Sequence, residues 1–70
     1  MFTEIKKEFQ EGKTRFEFIA SELADIAKLP TSKTNDPYYK ANGVAPGSAC
    51  LCTEDSSFHV LGADDVWHRI

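Results

Sequence analysis

The sequence predicts a small single-domain α+β fold. Its parts are an N-terminal amphipathic arm, one strand, one short helix and a C-terminal three-stranded antiparallel meander. Three observations lead there. The stretch from Gly47 to Ile70 divides into three short apolar runs separated by two polar turns. Residues 15–18 alternate polar and apolar. Phe2, Ile5 and Phe9 instead fall at helical spacing among charged residues.

The first two elements rest on these periods. Phe2, Ile5 and Phe9, with Glu4, Lys6, Lys7 and Glu8 between them, predict an arm over residues 1–12 with a narrow apolar stripe. Glu11-Gly12 stops it. Within Thr14 to Ala20, Phe16, Phe18 and Ala20 point one way while Arg15 and Glu17 point the other, which is the period of a strand. It opens the predicted α+β domain, residues 13–70.

Ser21 is a suitable N-cap for a helix whose face is Leu23, Ile26, Ala27 and Leu29, and Pro30 ends it. Residues 31–46 read as a long loop holding Pro37, Gly43, Pro46 and the pair Tyr38-Tyr39. Loops of that length in compact domains tend to carry function or to be disordered.

The meander closes the chain. Its strands are Ala49–Thr53, Phe58–Leu61 and Val66–Ile70. Its turns are Glu54-Asp55-Ser56-Ser57 and Gly62-Ala63-Asp64-Asp65. The expected core is Phe16, Phe18, Leu23, Ile26, Leu29, Leu51, Phe58, Val60 and Trp67. A core of that size in 70 residues is marginal against chain entropy, which favours a stabilising partner.

Charge narrows the function classes. The net charge is −3. Residues 1–33 carry six basic and six acidic side chains, so the whole excess lies beyond them. There Lys40 and Arg69 face Asp36, Glu54, Asp55, Asp64 and Asp65. A nucleic-acid binder would show a basic patch, and a membrane-surface protein a polybasic one. No apolar stretch approaches the ~20 residues of a membrane span. Residues 2–9 are too charged for a signal-peptide core. These features predict a protein of a reducing cytoplasm, or one assembled there.

Candidate chemistry is sparse. Cys50 and Cys52 lie two apart, which in a strand sets both thiols on one face and makes a poor disulfide. With His59 and His68 they could make a zinc set, yet zinc fingers space their cysteines more widely and cluster their histidines. Two small buried thiols are the simpler reading. A hairpin tip at Asp55-Ser56 would set Cys52 across from His59, the pairing on which both the metal idea and a thiol–imidazole pair depend. The thiol–imidazole pair has no orienting third group. Asp64-Asp65 reads as a turn, since adjacent carboxylates there point apart. The four glycines form no phosphate loop. Phe58, Trp67, Tyr38 and Tyr39 have no basic residues around them and read as core or interface aromatics.

From Ile19 onward the chain resembles small virion-associated structural proteins of tailed bacteriophages. The pieces are Phe18-Ile19-Ala20, Asp25 to Ser32, Val44-Ala45-Pro46-Gly47-Ser48, the hairpin around Glu54-Asp55-Ser56-Ser57 and the tail Asp64 to Ile70. The Pro-Gly-Ser lead-in, acidic-turn hairpin and terminal Trp strand carry the likeness, over about three quarters of the chain. His59, Cys50 and Cys52 depart from the Tyr and Val such modules often carry there.

The resemblance implies a head decoration or head–tail accessory protein, assembled in the host cytoplasm and present in the virion in many copies. It would bind capsid, portal or tail subunits. It carries over no functional residue, and with the residue survey above no catalytic residue, cofactor or metal is expected, nor any nucleic-acid, membrane or small-molecule partner. The contact residues expected from the arm and loop are Phe2, Ile5, Phe9, Tyr38 and Tyr39. The alternative is a small acidic phage factor that binds and inhibits a host enzyme through its negative turns. A zinc module is a third possibility.

Overall fold

The computed structural model describes every residue except Glu11 and the side chain of Gln10. It is a mixed five-stranded sheet in the order β1-β2-β3-β4-β5. The strands are β1 (Phe2–Gln10), β2 (Lys13–Ala20), β3 (Ala49–Cys52), β4 (Ser57–Leu61) and β5 (Trp67–Arg69). β2 and β3 run parallel; the other neighbours are antiparallel. This overturns the expected arm plus three-stranded meander.

The arm is in fact the edge strand β1, paired with β2 from Phe2↔Ala20 to Gln10↔Lys13. A β-bulge between Glu4 and Lys6 explains why the residues read as helical. Phe2 and Phe9 differ in parity, so simple alternation would part them. The extra residue at the bulge, Ile5, restores both to one side of the sheet. A period-2 pattern with one residue inserted imitates helical spacing over so short a run. Gly12, at φ +86°, makes the tight return into β2.

Antiparallel neighbours need only a turn, but the parallel pair β2–β3 needs a crossover of a dozen residues or more. Residues 21–48 supply it. They hold a 3-10 helix (Leu23–Lys28) and a six-residue helix α1 (Pro37–Asn42), so the expected long loop carries structure. The first helix is 3-10, and Ser21 does not cap it: the cap position is Glu22, with no side-chain bond. The Ser21 hydroxyl instead donates to the Met1 carbonyl at 3.1 Å. α1 starts as its sequence dictates. The Asp36 carboxylate accepts from the Tyr38 and Tyr39 amides, and Pro37 fills the first turn.

One face of the sheet is covered. Phe16, Phe18 and Ala20 of β2 lie on it beside Cys50 and Cys52 of β3, and Leu61 of β4 follows. With Leu29 and Val44 they form the core, and Phe2, Ile26, Tyr39 and Trp67 pack against them. The aromatic contacts are mostly edge-on: Phe2–Phe18 at 5.3 Å, Phe16–Tyr39 at 5.1 Å and Phe18–Trp67 at 6.2 Å between centroids. Such pairs add about 0.5–1.5 kcal/mol each beyond burial. The Trp67 indole donates to the Pro30 carbonyl at 3.1 Å, tying the last strand to the crossover.

Part of the expected core lies elsewhere. Leu51 and Phe58 are 43% and 41% exposed, Leu23 is exposed, and Val60 is half-buried. The cause is register. Phe18↔Cys50 and Ala20↔Cys52 put the cysteines on the covered face, so Leu51 must point to the other. Antiparallel pairing carries that phase to Phe58 and Val60.

The Pro46-Gly47-Ser48 stretch has a structural task. The buried Ser48 hydroxyl accepts from the Phe16 amide at 3.1 Å and donates to the Ala45 carbonyl at 2.8 Å. Gly47, at φ +93°, donates its amide to the Leu61 carbonyl.

Candidate protein-binding face

The uncovered face of the sheet carries an apolar row. Strand register aligns Thr3, Ile19, Leu51 and Phe58 across β1 to β4. Ile70 extends the row, its amide donating to the Phe58 carbonyl at 2.8 Å. A second row runs Lys6, Glu17, Ala49, Val60, His68. The bulge residue Ile5, 56% exposed, stands over the face. Ile5, Ala49, Leu51 and Phe58 help wall a shallow depression of about 240 Å³. Among the described residues no helix covers the row. Apolar side chains standing together over a sheet face mark a contact surface more often than a solvated one.

The charges beside this row are paired among themselves. Lys6 Nζ lies 3.1 Å from Glu8 Oε1, and an Arg15 guanidinium nitrogen 3.1 Å from Glu17 Oε1. The face is therefore nearly neutral as well as apolar.

The residues expected to bind a partner divide. Phe2 and Tyr39 are partly buried against the core, where they support the fold. Ile5 belongs to the uncovered face. Phe9 is 74% exposed near the far end of β1. Tyr38 is exposed over the covered side; its hydroxyl donates to Glu4 Oε2 at 3.4 Å and accepts from Lys7 Nζ at 3.3 Å. Ile19, Leu51, Phe58 and Ile70 were not among the expected contacts. Their signal was present: β3 and β4 carry apolar residues at both parities, as strands do when both faces are covered.

The four candidate zinc ligands do not converge. Cys50 pairs with His59 and Cys52 with Ser57, so the expected opposition of Cys52 and His59 is off by one pair along the hairpin. These residues point to the covered face. His68 pairs with Val60 on the other face, its Nε2 lying 2.8 Å from Asp64 Oδ2. Among the described residues no group of three or more His, Cys, Asp or Glu side chains is placed to hold a metal ion. Burial pushes the Cys50 thiol up to about 11, so it stays protonated at neutral pH, whereas a ligand or nucleophile must be thiolate.

Ser57 Oγ and His59 Nε2 stand 2.8 Å apart, both buried. A hydrolytic pair would need the hydroxyl proton to point at His59. The Asp55 carboxyl is held below its usual range first by a hydrogen bond from Ser57. Which of Ser57 and His59 donates depends on the His59 tautomer, and the pair alone does not define a hydrolytic site.

The acidic turns are engaged within the chain. Asp55 accepts from the Ser57 amide, Asp64 from the Val66 amide, Asp65 from the Ser32 amide at 2.8 Å and Glu54 from the Leu23 amide. They cap turns and bind the crossover to the hairpins.

Comparison of the chain with protein-family models, curated proteins and solved structures gave no match. Among the described residues no helix is long and apolar enough to cross a membrane.

Proposed function

We propose that this chain is a structural protein of a tailed-bacteriophage particle, a head decoration or head–tail accessory part. It acts by protein–protein binding and not as an enzyme. The observation that carries the binding reading is the uncovered row Ile19–Leu51–Phe58–Ile70 on a sheet whose other face is packed. The phage context rests on the sequence resemblance of residues 18–70. The inhibitor reading has less support, because the turn carboxylates that would mimic phosphates already hold the fold.

Quantitative mass spectrometry of purified particles tests the proposal. The chain should be present in a fixed ratio to the major shell protein, and Leu51→Lys should reduce its incorporation. Its absence from particles, with capture of one host enzyme in equal ratio, would overturn the reading in favour of the inhibitor.

A further inference from the structure

We infer that the uncovered face is a self-association surface, on which a second copy of this chain packs sheet against sheet. The inference rests on the binding reading above and names the partner.

Four observations select a second copy. The first is charge. Lys6 pairs with Glu8 and Arg15 with Glu17 beside the apolar row, so the charges nearest it are already matched within the chain; Lys13 stands farther off, at the end of β2. Both signs lie side by side, and such a pattern is complementary to itself about a two-fold axis.

The second is the shape of the apolar surface. The row crosses β1 to β4 and reaches Ile70 just past β5, with Leu51 on the central strand. Low relief and a continuous row suit another sheet, which packs about 10 Å away with its side chains interleaved.

The third is extent. Five strands leave four gaps of about 4.8 Å, about 19 Å between the outer strands. A second sheet packed over that width covers the exposed parts of Ile5, Leu51, Phe58 and Ile70, a contact at the small end of what stable complexes use.

The fourth is that the other route to sheet association is obstructed. The β1 edge carries Glu4, Lys6, Lys7 and Glu8 and is broken by the bulge, while the β5 edge is three residues long. Charges, bulges and short strands are the devices that block edge-to-edge pairing. The face remains.

Sedimentation equilibrium of the full chain from low-micromolar to millimolar concentration tests this. A reversible dimer is expected. Leu51→Lys and, separately, Phe58→Lys should each raise the dissociation constant on the order of 100-fold, because each would bury a charge at the centre of the contact. Phe9→Ser, an exposed aromatic off the face, should leave it unchanged. Circular dichroism of each variant confirms folding, and the milder Leu51→Ser serves if a lysine variant is unfolded. A wild-type monomer at every concentration would overturn the inference, as would a dimer indifferent to the Leu51 and Phe58 changes. The two readings fail separately. A monomer that still needs Leu51 to enter particles removes only the second copy, whereas a Leu51-dependent dimer absent from particles removes only the phage role.

Discussion

Phe18 of β2 and Cys50 of β3 are register partners in the parallel pair at the heart of the sheet, both at most 1% exposed. That pairing decides which side of the last three strands is core. It sends Cys50, Cys52, His59 and Leu61 inward and turns Leu51, Phe58 and Val60 outward.

The assignment can be checked by stability. Phe18→Ala empties a packed site and should cost about 3–5 kcal/mol, enough to unfold so small a domain. Leu51→Ala, measured where the chain is monomeric, should cost less than about 1 kcal/mol. Urea denaturation of the two variants reads the difference. Equal losses would mean that the faces are reversed.

Hydrogen exchange distinguishes a strand from an arm. The β1 amides that bond to β2 should be protected, and those on its free edge should exchange quickly, in alternation on either side of the bulge at Ile5. Uniformly fast exchange over these residues would rule out the edge strand.

Both cysteines should resist alkylation in the folded protein and react fully in denaturant, since both are buried. Burial raises the Cys50 thiol from 9.0 to about 11. The unfolded chain therefore loses this proton first as pH rises. The stability contributed is complete below about pH 9 and disappears between about pH 9 and pH 11. Burial raises Tyr39 as well, in the same direction. Urea midpoints across that window should fall, and Cys50→Ala should flatten part of the slope.

Acid should act through four aspartates. Asp25 is lowered first by the Met1 amino group, Asp55 by the Ser57 hydroxyl, Asp64 by His68 and Asp65 by the Ser32 amide. A carboxyl depressed in the fold adds stability that is present above its unfolded value, about pH 4, and is lost as pH falls through the folded one. Urea midpoints should hold from neutrality to about pH 5 and then drop. Asp65→Asn should lower the neutral midpoint and weaken the acid dependence; an unchanged profile would mean that the Ser32–Asp65 tie adds nothing.

The local signals in the sequence were sound where one element's own chemistry sufficed. Alternation located β2, the Gly, Asp and Ser clusters located the turns near β4 and β5, and Pro30 marked the close of the 3-10 helix. The Trp67 strand lies where the closing run placed it, though shorter. Phe2, Ile5 and Phe9 misled, because a bulge leaves no local mark except a broken period. The crossover was unreadable for a different reason. Parallel pairing of β2 with β3 joins Glu17 to Ala49 across more than thirty residues, and no local pattern encodes that contact.

By itself, then, the sequence determined the strands that alternate cleanly, the turns that punctuate them, and a core centred on Phe16 and Phe18. Only the tertiary structure decided what Cys50, Leu51 and Phe58 do. Their strands are apolar at both parities, so composition allows either face to be inside. The choice falls to the partner strand, whose Phe16, Phe18 and Ala20 are already committed, and to a crossover that covers one side only. The apolar row left on the other side is the surface on which the proposed function rests.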